Sequence, residues 1–460
     1  MMELKNKSVL VLGLGETGLS MLRYLKGRGA RVSVADSRNN PPGLDEARKY
    51  VIEPQIFCGE FDDELFMGVD LVAISPGVPL RDPVIARAVA CGIPVVGDIE
   101  LFAWALPGES RPKVLAITGS NGKTTVTSMV AHLCKAAGKT AITAGNISPA
   151  VLDVLALGSE GQPDIWVLEL SSFQLESTST LNPDAATVLN VSEDHLDRYA
   201  DINEYAVAKQ RIFNGAAVQI LNRDDFRSMA MKREETALLT FGLGVPDSEN
   251  DFGTVQRDGE VWLAQGTQLL LKAGELQITG LHNVSNALAA LALCRSIDLP
   301  MESLLAALRG FEGLPHRVER VAEIGDVIYY DDSKGTNVGA TVAALEGLGR
   351  KIVLIAGGEG KGQDFSPLKL PVDRHARGVV LIGRDAHLIE AALQGSDIPR
   401  MRAENMADAV GKAAQLAQSG DAVLLSPACA SFDMFRNYEH RAEVFIEAVR
   451  ELNPGGVWHR

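Results

Sequence analysis

The stretch Gly119-Ser120-Asn121-Gly122-Lys123-Thr124-Thr125 follows an apolar run at residues 114–117 and leads into a helix-forming run at residues 126–130. A strand, a glycine-rich turn and a helix start leave backbone amides free at the positive end of the helix dipole, where phosphate binds. Lys123 can reach the terminal phosphates of a nucleotide, and the Thr124 hydroxyl can bind the accompanying Mg²⁺. The spacing misses the strict phosphate-loop pattern, but the order of elements predicts a phosphate loop rather than a polar turn.

Length and composition limit the class of protein. The chain has 460 residues, more than one hydrophobic core usually supports, so several domains are expected. A net charge of -15 opposes binding to nucleic acid or to an anionic membrane surface. The five cysteines lack metal-ligand or redox spacing, which predicts reduced thiols. A membrane-spanning helix needs about 18 consecutive apolar residues, and no apolar run in the sequence is that long. We therefore expect a cytoplasmic protein without membrane insertion.

An N-terminal β-α-β unit carries the turn Gly13-Leu14-Gly15-Glu16-Thr17-Gly18, and Asp36 ends its second strand. Dinucleotide folds hold a diphosphate and a ribose in this way, so NAD(P) binding is one interpretation. The same turn would hold the diphosphate of another nucleotide, and a purely structural turn is a third interpretation. A later strand ends in Ser75-Pro76-Gly77, whose amides would face the same ligand unless this segment is a plain surface loop.

Polar residues 104–112 predict a domain boundary ahead of the phosphate loop. Glu169 ends an apolar strand, where open α/β sheets bind ligands, so it is a candidate Mg²⁺ ligand, with a helix-capping carboxylate as the alternative. His195 follows another strand among carboxylates, which suits a metal ligand or a phosphate contact, although a lone histidine is more often structural. Considered alone, Lys209 in the next helix is a solvent-exposed lysine.

An alanine- and leucine-rich helix begins with Asn283 and Asn286, which are natural partners for adenine and equally natural N-caps. Strands then alternate with helices, which predicts another doubly wound unit. Polar clusters follow its strands at residues 331–337, 357–361 and 426–433. We therefore expect an α/β protein with three nucleotide-fold-like units.

Seven segments together carry a family resemblance. They are Gly-Ser-Asn-Gly-Lys-Thr-Thr (119–125), Glu-Leu-Ser-Ser-Phe-Gln-Leu-Glu (169–176), Asn-Val-Ser-Glu-Asp-His-Leu-Asp-Arg-Tyr (190–199), Leu-His-Asn-Val-Ser-Asn-Ala (281–287), Leu-Pro-His-Arg (314–317), Asp-Asp-Ser-Lys-Gly-Thr-Asn (331–337) and Ser-Pro-Ala-Cys-Ala-Ser (426–431). In this order they resemble the Mur ligases over nearly the whole chain. The resemblance implies three domains: a Rossmann-like domain for the UDP substrate (1–107), a central P-loop ATPase-type domain (108–312) and a Rossmann-like amino-acid domain (313–460).

The resemblance also implies a reaction, ATP-dependent amide-bond synthesis in peptidoglycan precursor biosynthesis. The γ-phosphate of ATP would pass to the carboxylate of UDP-N-acetylmuramoyl-L-alanine, and the amine of D-glutamate would attack the resulting acyl phosphate. ADP and phosphate would leave. The partners would be three small molecules, ATP, UDP-N-acetylmuramoyl-L-alanine and D-glutamate, and the enzyme would be a monomer that uses two Mg²⁺ ions.

By the same resemblance each site receives its residues. The catalytic set is Lys123, His195, Lys209 and Lys334, and the metal ligands are Thr124, Glu169, His195 and a carbamylated Lys209. The ATP set is Gly119, Ser120, Asn121, Gly122, Lys123, Thr124, Thr125, Asn283, Asn286, Arg317 and Asp332. The UDP-substrate set is Thr17, Asp36, Ser37, Arg38, Ser75 and Gly77, with Asn146 on the muramoyl side. The D-glutamate set is Thr336, Lys361, Ser431 and Tyr438.

Three other interpretations stay open at this point. A folylpoly-γ-glutamate synthetase would share the phosphate loop and the acyl-phosphate chemistry, but it would not need the N-terminal nucleotide unit. An NAD-dependent oxidoreductase would use the first glycine turn, but it leaves Lys123, Glu169 and Arg317 without a purpose. A nucleotide-sensing module would bind ATP without turning it over.

Overall fold

A computed structural model describes residues 3–106, 108, 111–157, 162–195 and 198–452, and the backbone of residues 457 and 458. In this part of the chain three β-sheets follow one another in sequence, each packed against helices. The predicted α/β class is therefore confirmed. The domain limit predicted at residue 107 and part of the 104–112 linker lie outside the described residues. Among those described, no helix is both long enough and apolar enough to cross a membrane.

The N-terminal unit is a doubly wound sheet of five parallel strands. Its elements are β1 (Ser8–Leu12), β2 (Arg31–Asp36), β3 (Ile56–Cys58), β4 (Leu71–Ile74), β5 (Val95–Val96), α1 (Glu16–Gly27), α2 (Leu44–Ala47), α3 (Pro83–Ala90) and α4 (Asp98–Ala105), with 3₁₀ turns at Glu53–Gln55 and Asp63–Phe66. The strand order is β3-β2-β1-β4-β5. β1 after Ser8, and the whole of β4, are continuous apolar runs because both faces of a parallel sheet are buried. The strand order reverses between β1 and β4, and ligands bind at such switch points.

The central unit is a nine-stranded sheet in the order β14-β13-β12-β11-β10-β9-β6-β8-β7. Its strands are β6 (Lys113–Thr118), β7 (Ala141–Gly145), β8 (Ile165–Glu169), β9 (Ala185–Val188), β10 (Val218–Asn222), β11 (Ala237–Phe241), β12 (Phe252–Arg257), β13 (Glu260–Gln265) and β14 (Gln268–Lys272). Its helices are α5 (Lys123–Ala136), α6 (Val151–Leu157), α7 (Ser172–Glu176), α8 (Ile202–Gln210), α9 (Phe226–Ala230), α10 (Leu281–Arg295) and α11 (Met301–Leu308), with 3₁₀ turns at Arg211–Phe213 and Ala273–Glu275. Strands β6 to β11 are parallel, and β12 to β14 form an antiparallel meander.

The C-terminal unit is a seven-stranded sheet in the order β19-β18-β17-β20-β16-β15-β21. Its elements are β15 (Glu319–Ile324), β16 (Val327–Asp331), β17 (Ile352–Ala356), β18 (Ala376–Leu381), β19 (Arg400–Arg402), β20 (Ala422–Leu425), β21 (Val457–Trp458), α12 (Val338–Gly347), α13 (Lys369–His375), α14 (Ala386–Ala392), α15 (Met406–Leu416) and α16 (Tyr438–Leu452), with a 3₁₀ turn at Ser366–Leu368. The five strands from β16 to β19 in the sheet are parallel, and β15 and β21 complete it in antiparallel fashion.

The N-terminal and central units share one hydrophobic cluster. Phe102 of α4 packs edge-on against Trp166 of β8, with the ring centroids 4.9 Å apart. Arg23 of α1 also pairs with Asp153 of α6 at 2.6 Å. Both contacts join the N-terminal unit to the central unit.

Candidate active site

The first cavity lies at the carboxyl ends of β1, β2, β4 and β7 and has a volume of about 610 Å³. Its lining includes all of the predicted UDP-substrate residues, namely Thr17, Asp36, Ser37, Arg38, Ser75, Gly77 and Asn146. Gly13 has a φ of +90°, and a Cβ there would lie 3.0 Å from the Ser75 hydroxyl, so the turn requires glycine. The segment at residues 75–77 is therefore part of a ligand-sized cavity and not a plain surface loop.

Asp36 is a buried anion at the wall of this cavity. Its carboxylate accepts the Leu14 amide at 2.7 Å and the Arg38 guanidinium through Nε at 2.8 Å and Nη2 at 2.7 Å. Burial alone would raise the pKa of Asp36, but these hydrogen bonds lower it below the ordinary value. Asp36 thus stays charged, can accept from hydroxyl groups of a ligand, and holds Arg38 at the cavity.

The phosphate loop is anchored between neighbouring strands. The Ser120 amide donates to the Asn190 carbonyl at 2.9 Å, and the Asn121 amide donates to the Asn190 side chain at 2.8 Å. Gly122 caps α5 in the left-handed region, with a φ of +84°, and a Cβ there would lie 2.6 Å from Oδ1 of Asn286. The first-turn amides of α5 have no intrahelical acceptors, so they are available to an anion.

Two lysines converge on this loop. Lys123 Nζ donates to the carbonyl oxygens of Gly119 at 2.9 Å and Ser120 at 3.0 Å, and Lys209 Nζ donates to the Gly119 oxygen at 3.0 Å. Desolvation lowers the pKa of Lys123. Burial and the neighbouring Lys123 charge lower the pKa of Lys209 well below its ordinary value. The prediction of an exposed Lys209 is wrong, because its side chain is only 1% exposed beneath the loop.

Glu169, at the end of β8, is a buried carboxylate, and only one of its two oxygens accepts a hydrogen bond from the described residues. Its Oε1 accepts the Asn146 side chain at 3.0 Å, whereas its Oε2 has no partner in the part of the chain that the structure describes. Ser171, not Glu169, caps the following helix. A buried carboxylate oxygen without a donor is costly, and a divalent cation with oxygen ligands would satisfy it. Glu169 therefore fits a Mg²⁺ site.

Thr124 and His195 complete the predicted metal set. The Thr124 hydroxyl accepts Arg317 Nη2 at 2.8 Å, a contact between the central and C-terminal units. His195 has a φ of +56° and places the edge of its ring on Phe173, with centroids 4.8 Å apart. Since Phe173 lies just after Glu169, the two candidate metal ligands occupy adjoining segments.

A second cavity, of about 630 Å³, separates the central and C-terminal units. Its lining includes the predicted nucleotide residues Asn121, Gly122, Thr125, Asn283, Asn286, Arg317 and Asp332, and the predicted catalytic residue Lys334. Gly119 and Ser120 lie on the adjoining loop, and Lys123 and Thr124 lie in the first turn of α5. The N-cap of α10 is Gly280, and neither Asn283 nor Asn286 takes that position. Instead, Nδ2 of Asn286 donates to Oδ1 of Asn283 at 3.1 Å. The N-cap interpretation is therefore wrong.

Asp332, after β16, is buried and accepts the Ser426 hydroxyl at 2.7 Å. Burial raises the pKa of Asp332 to about 7. The nearby Lys334 ammonium lies 3.8 Å from the ring centroid of Tyr438, and burial lowers the pKa of Lys334. Asp332 and Lys334 thus form the C-terminal side of the second cavity.

By position in the C-terminal unit, the four predicted D-glutamate residues fall into two pairs: Thr336 with Tyr438, and Lys361 with Ser431. Tyr438 contacts Lys334, two residues before Thr336. Lys361 is exposed, with its ammonium 5.9 Å from the Phe432 ring next to Ser431. Buried Arg441 connects the two pairs, since it donates to the Ser333 carbonyl at 2.7 Å and to the Cys429 carbonyl at 3.0 Å.

Comparison with known proteins identifies the family. Three family models match in order: "Mur ligase MurD-like, N-terminal domain" over residues 7–97, "Mur ligase middle domain" over 117–294 and "Mur ligase, glutamate ligase domain" over 316–429. UDP-N-acetylmuramoylalanine--D-glutamate ligase of Nitrosomonas europaea is 56% identical over 98% of this chain and 97% of its own. The protein of that name from Methylobacillus flagellatus is 58% identical over 99% of this chain and 100% of its own. The chain belongs to the Mur ligase family.

Solved Mur ligase structures share the fold. MurF from Thermotoga maritima, in complex with ADP, has a TM-score of 0.61 at 17% identity, over 97% of this chain and 96% of that one. MurC from the same organism has a TM-score of 0.57 at 19% identity, over 97% of this chain and 100% of that one. The predicted three-domain architecture of a Mur ligase is therefore confirmed, and the interpretation as an NAD-dependent oxidoreductase is wrong.

Sequence reasoning missed several residues of this Mur ligase. Those that line the second cavity are Asn222, Asp224, Phe241, His282 and Glu346. Asn222 ends β10 among acidic residues, so the strand-end signal that singled out Glu169 was present there too. Arg441 carries no such signal, because an arginine in an amphipathic helix usually faces solvent.

Proposed function

We propose that this protein joins D-glutamate to UDP-N-acetylmuramoyl-L-alanine at the expense of ATP, in peptidoglycan precursor synthesis. One relationship carries the proposal: Asn146 lines the first cavity and donates to Glu169, on the strand next to the phosphate loop. An acceptor carboxylate in the first cavity and the triphosphate on the loop would therefore meet at this edge of the sheet. The names of the relatives favour D-glutamate as the amino acid and argue against a folylpoly-γ-glutamate synthetase.

The chemistry follows from charge. A carboxylate oxygen of the acceptor attacks the γ-phosphorus, the bond to the ADP oxygen breaks, and an acyl phosphate forms. The amine of D-glutamate then attacks the acyl carbon, phosphate leaves with the carbon–oxygen electron pair, and the amine loses a proton. Lys123 and Arg317 neutralise the negative charges that would otherwise keep carboxylate and triphosphate apart.

The metal set proposed here is Thr124, Glu169, His195 and Lys209 for two Mg²⁺ ions, which supply Lewis-acid charge at the transferred phosphoryl group. Glu169 supports this set through its unpartnered buried oxygen. Lys209 would contribute as a carbamate: its neutral amine attacks the carbon of CO₂ and releases a proton, leaving an anionic oxygen ligand. The burial of Lys209 and its lowered pKa support this step.

The remaining assignments are part of the same proposal. The first cavity would hold the uridine nucleotide, Asn283, Asn286 and Asp332 would face the adenosine, and Thr336, Lys361, Ser431 and Tyr438 would hold D-glutamate. Domain limits at residues 107 and 312 follow from this division. Because one chain supplies each of these sites, we propose a monomer, and its nucleotide substrates support a cytoplasmic location as part of the same proposal.

The decisive experiment measures phosphate release from ATP with UDP-N-acetylmuramoyl-L-alanine and one amino acid at a time. D-glutamate, L-glutamate, L-alanine and a diamino acid are compared, with Lys123→Ala as the inactive control. We expect release with D-glutamate and a large loss with the others. Preference for another amino acid would refute the assignment, and ATP binding without turnover in every mixture would favour the nucleotide-sensing interpretation.

A further inference from the structure

Arg198 connects the central unit to the wall of the first cavity. It lies three residues after His195, and its side chain is 11% exposed. Its Nη1 donates to the Pro76 carbonyl at 2.7 Å, and its Nη2 donates to the Val78 carbonyl at 3.3 Å. Both carbonyls belong to the loop after β4, at residues 75–78, which lines that cavity. One guanidinium thus holds the substrate-side loop through its backbone.

The same guanidinium contacts the segment that follows Glu169. It lies 4.1 Å from the centroid of the Phe173 ring and pairs with Glu176 at 3.1 Å. The Phe173 ring in turn contacts His195. Glu176 also accepts the Tyr199 hydroxyl at 2.6 Å, which fixes it from a second direction. Arg198 therefore lies between the first cavity and the segments that carry two candidate metal ligands.

The geometry needs an arginine. A planar guanidinium offers five donors and a flat face, so it can bind two carbonyls and a carboxylate while it stacks on a ring. A lysine ammonium is a point charge that cannot reproduce this combination. Loss of the guanidinium would remove both hydrogen bonds to the loop at residues 75–78, so the loop could shift. A shift of about 1 Å in a reacting group lowers the rate on the order of 100-fold.

We propose that Arg198 is a positioning residue that fixes the position of the substrate-side loop, residues 75–78, relative to the phosphate-transfer site. This inference rests on the proposed function, because it assigns the first cavity to the nucleotide acceptor. Arg198 acts through Pro76 and Val78 on one side and through Phe173 and Glu176 on the other. Its effect is therefore on acceptor binding and on turnover, and not on nucleotide binding in the second cavity.

The chain offers a matched control for the test. Arg23 also connects the N-terminal and central units, through hydrogen bonds to Asp153 at 3.0 and 2.6 Å. It is not among the residues found to line either cavity in the described part of the chain. Arg23→Lys therefore shows how a weaker contact between the two units affects binding and turnover in general. Arg198→Lys shows the effect of the contacts with the loop at residues 75–78 in particular.

Both variants are compared with the unmodified protein in three measurements. Calorimetry gives the Kd of UDP-N-acetylmuramoyl-L-alanine without ATP and the Kd of ADP, and phosphate release gives kcat at saturating substrates. For Arg198→Lys we expect about a tenfold rise in the acceptor Kd, from the loss of charge-assisted hydrogen bonds. We also expect a fall in kcat on the order of 100-fold from misplacement. Its ADP Kd and all values for Arg23→Lys stay at those of the unmodified protein.

Three results would overturn the role of Arg198: unchanged acceptor Kd and kcat in Arg198→Lys, equal losses in Arg23→Lys, or a parallel loss of ADP binding that reports general unfolding. Failure of the unmodified protein to bind the UDP acceptor would instead refute the proposed function. The two kinds of failure are therefore distinguishable.

Discussion

The side-chain ammonium groups of Lys123 and Lys209 share one acceptor, the carbonyl oxygen of Gly119, at 2.9 and 3.0 Å. Two buried ammonium groups on one acceptor would repel each other, and this repulsion is the second cause, after desolvation, that lowers the pKa of Lys209. An anion between them, or conversion of one amine into an anion, would relieve the repulsion. This repulsion supports the proposal that the loop binds a triphosphate and that Lys209 reacts with CO₂.

The first prediction concerns Lys209. Because a lowered pKa favours the neutral amine that reacts with CO₂, the protein equilibrated with ¹³C-bicarbonate should show a carbamate carbon signal by NMR that is absent from Lys209→Met. Loss of this charged ligand should lower kcat by about 100-fold or more. Lys113→Met, an exposed lysine on β6, should keep both the signal and the activity. A Lys209→Met enzyme of normal kcat would contradict the role.

The second prediction concerns amino-acid binding. Lys361→Met should raise the KM for D-glutamate about tenfold, because an ion-paired hydrogen bond to a carboxylate is lost, with a smaller change in kcat. The measurement is phosphate release against D-glutamate concentration at saturating ATP and acceptor. Lys351→Met, which removes a lysine bonded to the Arg374 carbonyl in the same unit, should leave the KM unchanged. An equal rise in the KM for ATP would argue against a D-glutamate contact.

The third prediction concerns pH and Asp332. Its pKa of about 7 in the folded protein lies above the ordinary value of 3.8. Between these values the native state holds a proton that the unfolded chain has released, so this group makes the free energy of unfolding fall as pH rises through the window. The slope is at most about 1.4 kcal/mol per pH unit.

The side chain of Asp332→Asn cannot titrate, so the free energy of unfolding of this variant should not fall with pH for this reason. Calorimetric Tm values for both proteins at about pH 5 and about pH 8, without nucleotide, give the test. We expect the Tm of the variant relative to the unmodified protein to be higher at the upper pH. A Tm difference independent of pH would show that Asp332 is already ionised at the lower pH.

The fourth prediction concerns closure of the second cavity. Asn337 caps α12 through its Oδ1 and donates from Nδ2 to Oδ1 of Asn121 on the phosphate loop at 3.0 Å. Asn337→Asp keeps the cap but loses this donor and adds a charge near Asp194, whose Oδ2 is 3.4 Å from Nδ2. We expect kcat/KM for ATP to fall about tenfold.

The matched control is Asn405→Asp, which makes the same change at the N-cap of α15. It should leave kcat/KM for ATP unchanged. X-ray scattering with ADP should show a more open arrangement for Asn337→Asp only. Similar behaviour of the two variants would assign Asn337 to helix capping alone.

Much of the architecture was predictable from local pattern. Apolar runs followed by glycine turns indicated the strands and the phosphate loop, because a parallel strand buried on both faces is apolar throughout. Asp36, Ser75 and Gly77 of the first cavity were found in the same way, since they follow strands whose carboxyl ends meet at one edge, whereas Thr17, Ser37, Arg38 and Asn146 came from the family resemblance. Residues 242–280 carry no comparable pattern, and only the structure shows that they contain the meander β12 to β14.

By itself, the sequence determined the α/β class, the order of the three units and the phosphate loop, because each depends on residues close together in the chain. Only the tertiary structure decided that Lys209 is buried, that Arg198 joins two units, and that Arg317 reaches Thr124 across 193 residues. The pKa and the partners of a charged side chain depend on which distant segments exclude water from it. That exclusion exists only once the sheets have packed together.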